Sequence, residues 1–196
     1  VLWTKTANNT WSALVQGLLV DDQSNIYVSG RGSSTTIFEP NNAYGPENGN
    51  FGGYQFTNNY SRQPFLIKFD SQANLLWGTN ASGTGGEGVG GSGSEAAIGM
   101  SINGDEIAVG TGFINNTWGQ FGVTGQAMGD GTDSVLARFN KHTGAIIGLH
   151  RIHGPRAFEG GLTAVERDKD GNYLVGGYFT SFVFADYHDY GGRIVR

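Results

Sequence analysis

The segment Phe65-Leu66-Ile67-Lys68-Phe69-Asp70, with Asn25-Ile26-Tyr27-Val28-Ser29-Gly30 ahead of it, opens a strand pair that the chain writes three times. The first strand returns as Glu106-Ile107-Ala108-Val109-Gly110 and as Asn172-Tyr173-Leu174-Val175-Gly176-Gly177. The second returns as Val135-Leu136-Ala137-Arg138-Phe139-Asn140 and as Arg193-Ile194-Val195-Arg196. Its cation therefore recurs at Lys68, Arg138 and Arg196. A repeat of that length, built from short strands, argues for stacked or radially arranged sheets.

Counting period-2 apolar segments bounded by Gly, Asn, Asp or Ser gives four strands per repeat. Unit one (residues 12–82) has them at about 13–20, 25–30, 65–70 and 75–80, and unit two (94–152) at 96–102, 106–112, 134–140 and 145–151. A partial unit three (159–196) offers 162–167, 173–179 and 193–196, while residues 1–6 match Leu75-Leu76-Trp77 as the outer strand of a preceding unit. The expected fold is all-β: β-propeller blades of four-stranded antiparallel meanders, about three blade equivalents of a larger propeller. Propellers close with about four to eight blades, so further blades are expected from the parent chain. Tight polar turns join the strands at 21–25, 103–105, 168–172, 70–74 and 140–144, where Asp accepts backbone N–H bonds and Gly or Asn tolerates positive φ. Gly30, Gly110 and Gly176 are expected at equivalent places, and Trp3 and Trp77 on equivalent outer strands.

Composition agrees with that reading. The chain of 196 residues carries 34 glycines and four prolines among 38% apolar residues, as many short strands joined by turns require. There is no cysteine, so disulfides and thiolate metal sites are excluded. A net charge of −5 with scattered cations leaves no stripe for phosphates, and nucleic acid is not an expected partner. No apolar run approaches the ~20 residues of a membrane span, and no secretory leader opens the sequence.

Several of these segments carry a family resemblance. Ser92 to Glu95 before an apolar strand, Asn172 to Gly177 after an Asp-rich turn, Phe65 to Asp70, and Leu75 to Trp77 together resemble the SBBP-type β-propeller repeat of large secreted bacterial proteins of the Bacteroidetes type. Ser24 and Ala73 stand where that repeat usually has glycine, and Ile147-Gly148 where it has Leu-Trp. The resemblance implies a non-catalytic scaffold for binding or display, such as an adhesin, outside the cell or on its surface. Export by a type IX-like route would make the secretion machinery a partner. Competing readings are an accessory propeller of a secreted hydrolase, or a quinoprotein-like propeller enzyme suggested by the turn Asn140 to Gly144.

Long connections are where binding residues concentrate. Residues 32–64 contain Phe38, Tyr44, Phe51, Tyr54, Phe56 and Tyr60, rings that stack on sugars or pack the loop onto its own blade. Residues 113–133, with Trp118 and Phe121, invite the same pair of readings. The expected binding residues are Tyr44, Tyr54, Tyr60 and Trp118, for a protein or glycan ligand. No cofactor or metal is expected. The glycines of 83–93 lack the P-loop Lys-Ser/Thr, and Glu95 and Glu159 supply only one acid per unit where calcium wants several oxygens. Asp168 to Asn172 lacks the spacing and distal glutamate of an EF-hand. His150 and His153 fall on opposite faces of a strand. Four Asn-x-Ser/Thr sites begin at Asn8, Asn59, Asn80 and Asn115.

Overall fold

The computed structural model describes residues 3–6, 11–34, 50–56, 63–83, 99–113, 116–123, 133–152, 159–180 and 193–194. All regular structure among them is β. In unit one, β1 (Trp11–Val20) and β2 (Ile26–Ser34) are followed by a small hairpin, β3 (Asn50–Phe51) and β4 (Tyr54–Gln55), then by β5 (Gln63–Phe69) and β6 (Leu75–Asn80). A bridge strand, β7 (Ser82–Gly83), leads to unit two: β8 (Met100–Asn103), β9 (Glu106–Phe113), a second small hairpin of β10 (Asn116–Trp118) and β11 (Phe121–Val123), then β12 (Asp133–Asn140) and β13 (Ile146–Ile152). Unit three comprises β14 (Glu159–Arg167), β15 (Tyr173–Thr180) and β16 (Arg193–Ile194).

The repeat read from the sequence becomes two four-stranded antiparallel meanders, β1-β2-β5-β6 and β8-β9-β12-β13, and a three-stranded sheet β14-β15-β16. Register fixes which residues share a face, since a strand alternates its side chains. Tyr27 lies opposite Lys68, which lies opposite Trp77; Val28 lies opposite Ile67, which lies opposite Gly78. Unit one therefore has a front face carrying Leu19, Tyr27, Leu66 and Trp77, and a back face carrying Val28, Phe65, Ile67 and Phe69.

The sheets stack front to back. Tyr27 and Leu66 of unit one form one buried cluster with Ile107, Val109, Val135, Ala137 and Phe139 of unit two, joined by half-buried Leu19, Trp77, Met100 and Ile102. On the opposite face of unit two, Ala108 and Leu136 pack against Leu162, Val165 and Tyr173 of unit three. Each large apolar side chain taken fully out of water contributes about 1.5–3 kcal/mol. The strands of unit two are thus apolar on both faces because both faces are covered.

Polar contacts lock the same junctions. Lys68 Nζ and Trp77 Nε1 of unit one both donate to the carbonyl of Lys141, at 3.2 and 3.3 Å, in the β12–β13 turn of unit two. Gly144 in that turn is obligatory on two counts: its φ is +72°, and a Cβ would come within 2.6 Å of the Trp77 ring. Between units two and three, Asn103 donates to the Gly171 carbonyl at 2.9 Å.

Two sequence expectations shift by register. Gly110 pairs with Leu136 as Ser29 pairs with Leu66, and Gly176 takes the same place beside the β14 bulge. Gly30 lies one residue further along, opposite Val15. The close approach belongs to Gly110, where a Cβ would meet Leu162 and Val165 of unit three at 2.7 and 2.8 Å. In unit three it is Arg193, opposite Leu174, that occupies the place of Lys68 and Arg138, rather than Arg196.

Candidate binding rim

Both long connections, from β2 to β5 and from β9 to β12, leave and re-enter at the same end of the stacked sheets. The tight turns lie at the other end. Three of those turns share one bond set: Asp21 Oδ1 accepts from Gln23 N and Asn25 N, Asp70 Oδ1 from Gln72 N and Asn74 N, and Asp168 Oδ1 from Asp170 N and Asn172 N, all at 2.8–3.0 Å. The Asn side chain closes each turn on the other carboxylate oxygen. Asp168 is therefore engaged through both oxygens as a turn cap. Asn140 caps the one-residue-longer β12–β13 turn with a different pair, accepting from His142 N and Thr143 N.

The two connections contain the same small hairpin. Phe51-Gly52-Gly53-Tyr54 matches Trp118-Gly119-Gln120-Phe121, with Gly52 at φ +60° and Gly119 at φ +58°. Tyr54 and Trp118, two of the four expected binding residues, sit in these hairpins. Tyr54 is half-buried on the back face of unit one, edge-on to Phe56 at 5.0 Å. Its hydroxyl donates to Asn80 Oδ1 at 2.8 Å, and burial pushes its pKa up to about 12. The ring lies over Gly78, where a Cβ would approach to 2.3 Å. Trp118 is fully buried; its ring meets Phe139 edge-on at 4.7 Å and its indole N–H donates to Thr79 Oγ1 of unit one at 2.8 Å. β10 also pairs with β7, so this hairpin is wedged between units one and two. Tyr44 and Tyr60 lie outside the described residues, as do Phe38, Glu95 and His153.

Each hairpin thus spends its aromatic rings on the stack. The sequence reading weighed packing against ligand contact for these rings, and at Tyr54 and Trp118 the geometry is packing. The likeness of the two hairpins was legible in the paired aromatic-Gly-x-aromatic segments but is easily passed over, because the connections around them differ in length. Asn80 is also committed: its amide accepts from Tyr54 and donates to the Ala81 carbonyl at 2.7 Å, so this Asn-x-Ser site is buried.

A second repeated feature is a charge cluster at each junction, buried in unit one and partly buried in unit two. Lys68 is 4% exposed, 3.9 Å from Asp21 Oδ2, with its ammonium 5.0 Å from the Tyr27 ring centroid. Burial lowers its pKa, against the pull of Asp21. Burial raises the Asp21 carboxyl, but bonds from Asn25, Tyr27 and Gln23 outweigh it and the net shift is downward. In unit two Glu106 Oε2 accepts from Arg138 at 3.3 Å and from Tyr173 of unit three at 3.2 Å. Lys68 and Glu106 thereby each tie their unit to the next, through the Lys141 carbonyl and Tyr173, while Arg138 Nε is buried with no hydrogen-bond partner.

Among the described residues, no three His, Asp or Glu side chains converge in a way that could hold a metal ion, and no helix is long and apolar enough to cross a membrane. Compared with protein-family models and with curated proteins, the chain matches none.

Proposed function

We propose that this chain is a non-catalytic binding or display scaffold: propeller blades of the SBBP type, belonging to an exported or cell-surface protein. The observation that carries the reading is the separation of roles along each unit. Tight turns and repeated ion clusters fix the stack at one end, while both long connections are fastened at the other end by aromatic hairpins and return from the same rim. A stack of this kind offers a rigid platform on which connections vary in sequence without disturbing the core.

With Tyr54 and Trp118 committed to packing, Tyr44 and Tyr60 are the rings assigned to a glycan or protein ligand. Such side chains give large contact area for little rotamer entropy. The chain is proposed to travel by a type IX-like route, so that the export machinery is a transient partner and further blades of the parent protein are permanent ones. A glycan array and a cell-surface binding assay on the intact chain and on a Tyr44→Ala/Tyr60→Ala variant test the rim. Loss of binding with unchanged thermal unfolding is expected; equal binding by both proteins would move the site away from this connection.

A further inference from the structure

Asn103-Gly104 opens the turn of the β8–β9 hairpin, and among the described residues no other asparagine is followed by glycine. By register Asn103 holds the place of Asp21 in unit one and Asp168 in unit three, since Ile102 pairs with Ile107 as Val20 pairs with Ile26 and Arg167 with Tyr173. Those two aspartates cap their own turns. Asn103 instead reaches into the next unit: it is 6% exposed, and its Nδ2 donates to the Gly171 carbonyl of unit three at 2.9 Å. Its ladder partner is Glu106, whose Oε2 accepts from Tyr173 of unit three at 3.2 Å. Both of the side-chain hydrogen bonds described between units two and three therefore start from this one pair of residues.

The nitrogen that follows Asn103 is free to react. Gly104 is exposed at φ +62°, nothing stands within 4 Å of where a Cβ would be, and among the described residues no hydrogen bond holds its N–H. At the Asp170-Gly171 step, by contrast, the Gly171 N–H is spent on the Asp168 carbonyl at 3.1 Å. Asn25 and Asn172 precede Ile26 and Tyr173, whose side chains shield the intervening nitrogen as glycine cannot.

We propose that Asn103 is a site of spontaneous deamidation, held in check by the docking of unit three and loosening that docking once it has occurred. The Gly104 nitrogen gives its proton to a solvent base and bonds to Asn103 Cγ; the Cγ–Nδ2 bond breaks, and ammonia leaves with a proton taken from water. Water then opens the cyclic imide, at one carbonyl to aspartate and at the other to isoaspartate. While the units are docked, the bond to Gly171 and the pairing with Glu106 hold side chain and backbone in place, so reaction awaits local opening of the junction. In either product the donor to the Gly171 carbonyl is gone, and two acceptors face one another where a donor met one. The isoaspartate also adds a carbon to the main chain opposite Glu106, which moves the acceptor of Tyr173.

Peptide mapping by mass spectrometry after timed incubation in mildly alkaline buffer tests this, with isoaspartate counted by enzymatic methylation. Three samples are compared: the folded chain, a Tyr173→Phe variant that loses one junction bond without touching Asn103, and the chain unfolded in urea, where Asn48-Gly49 supplies a second asparagine-glycine step as reference. Conversion at Asn103 is expected to be slow in the folded chain, several-fold faster in Tyr173→Phe, and fastest in urea. Hydrogen exchange on an Asn103→Asp variant reads the consequence, and amides of β14 and β15 should exchange several-fold faster than in the parent. Equal conversion rates in the parent and Tyr173→Phe overturn control by the junction. An Asn103 peptide that keeps its mass in every folded sample while converting in urea overturns the site itself. Unchanged exchange in β14 and β15 of Asn103→Asp overturns the loosening of unit three.

Discussion

Ser24 and Ala73 adopt φ values of +63° and +67°, the left-handed region that L side chains avoid. Their counterparts in the other units are Gly171 at +81° and Gly144 at +72°. The departures from the repeat noted in the sequence are thus sites of stored backbone strain. Ser24→Gly and Ala73→Gly should each stabilise the fold by about 1 kcal/mol, read as a raised urea midpoint at unchanged m-value. Asp21 gives a pH-dependent counterpart. Its folded pKa lies below the ordinary carboxylate value, so its contribution is complete at neutral pH and is lost as the pH falls through that lowered folded value. Asp21→Asn should cost on the order of 2 kcal/mol at neutral pH, because Asn25 and Tyr27 lose an acceptor. The difference between the two proteins should shrink as the pH falls below the ordinary carboxylate range; an undiminished difference in acid would remove the carboxylate from the account.

At the scale of the element, the strands were legible because a half-buried strand alternates and a turn needs Asp, Asn or Gly at set positions. The β12–β13 strands over 133–140 and 146–152 lie within a residue or so of the alternation that marks them. The small hairpins were not read, since β3, β4, β10 and β11 have only two or three residues each, too few for any period to show. Their role appears only when the neighbouring unit is in place. Two substitutions separate packing from turn geometry. Trp118→Ala should cost about 3–5 kcal/mol, as a fully buried ring does. Gly119→Ala meets both a positive φ and the Ile146 side chain at 2.8 Å, and should cost about 1–3 kcal/mol. Denaturant unfolding of both variants checks these values, and a neutral Trp118→Ala would show that the hairpin does not bind the units together.

For the whole molecule, the sequence carried the number and order of the sheets, because the same strand pair is written three times. It did not carry which face meets which, since the central strands, as at Tyr27-Val28 and Leu66-Ile67, are apolar on both sides and only register tells front from back. Nor did it carry the fate of Tyr54 and Trp118: an aromatic ring in a long connection reads alike whether it awaits a ligand or a neighbouring sheet. Trp77 is the residue on which the junction of units one and two turns, through the Lys141 carbonyl and the close approach of its ring to Gly144. Trp77→Ala should cost about 2–3 kcal/mol, short of a full core deletion because the ring is half-buried. Changing Lys68 to methionine at the same time should cost less than the sum of the two single changes, as both side chains serve one carbonyl.

The proposed radial arrangement is tested most directly by an experimental structure of the chain, in which unit one is superposed on unit two and unit two on unit three. The same rotation about one common axis is predicted for both steps, with the Trp77 ring against Gly144 at the first junction. Rotations about unrelated axes, or a single continuous sandwich of the three sheets, would contradict it.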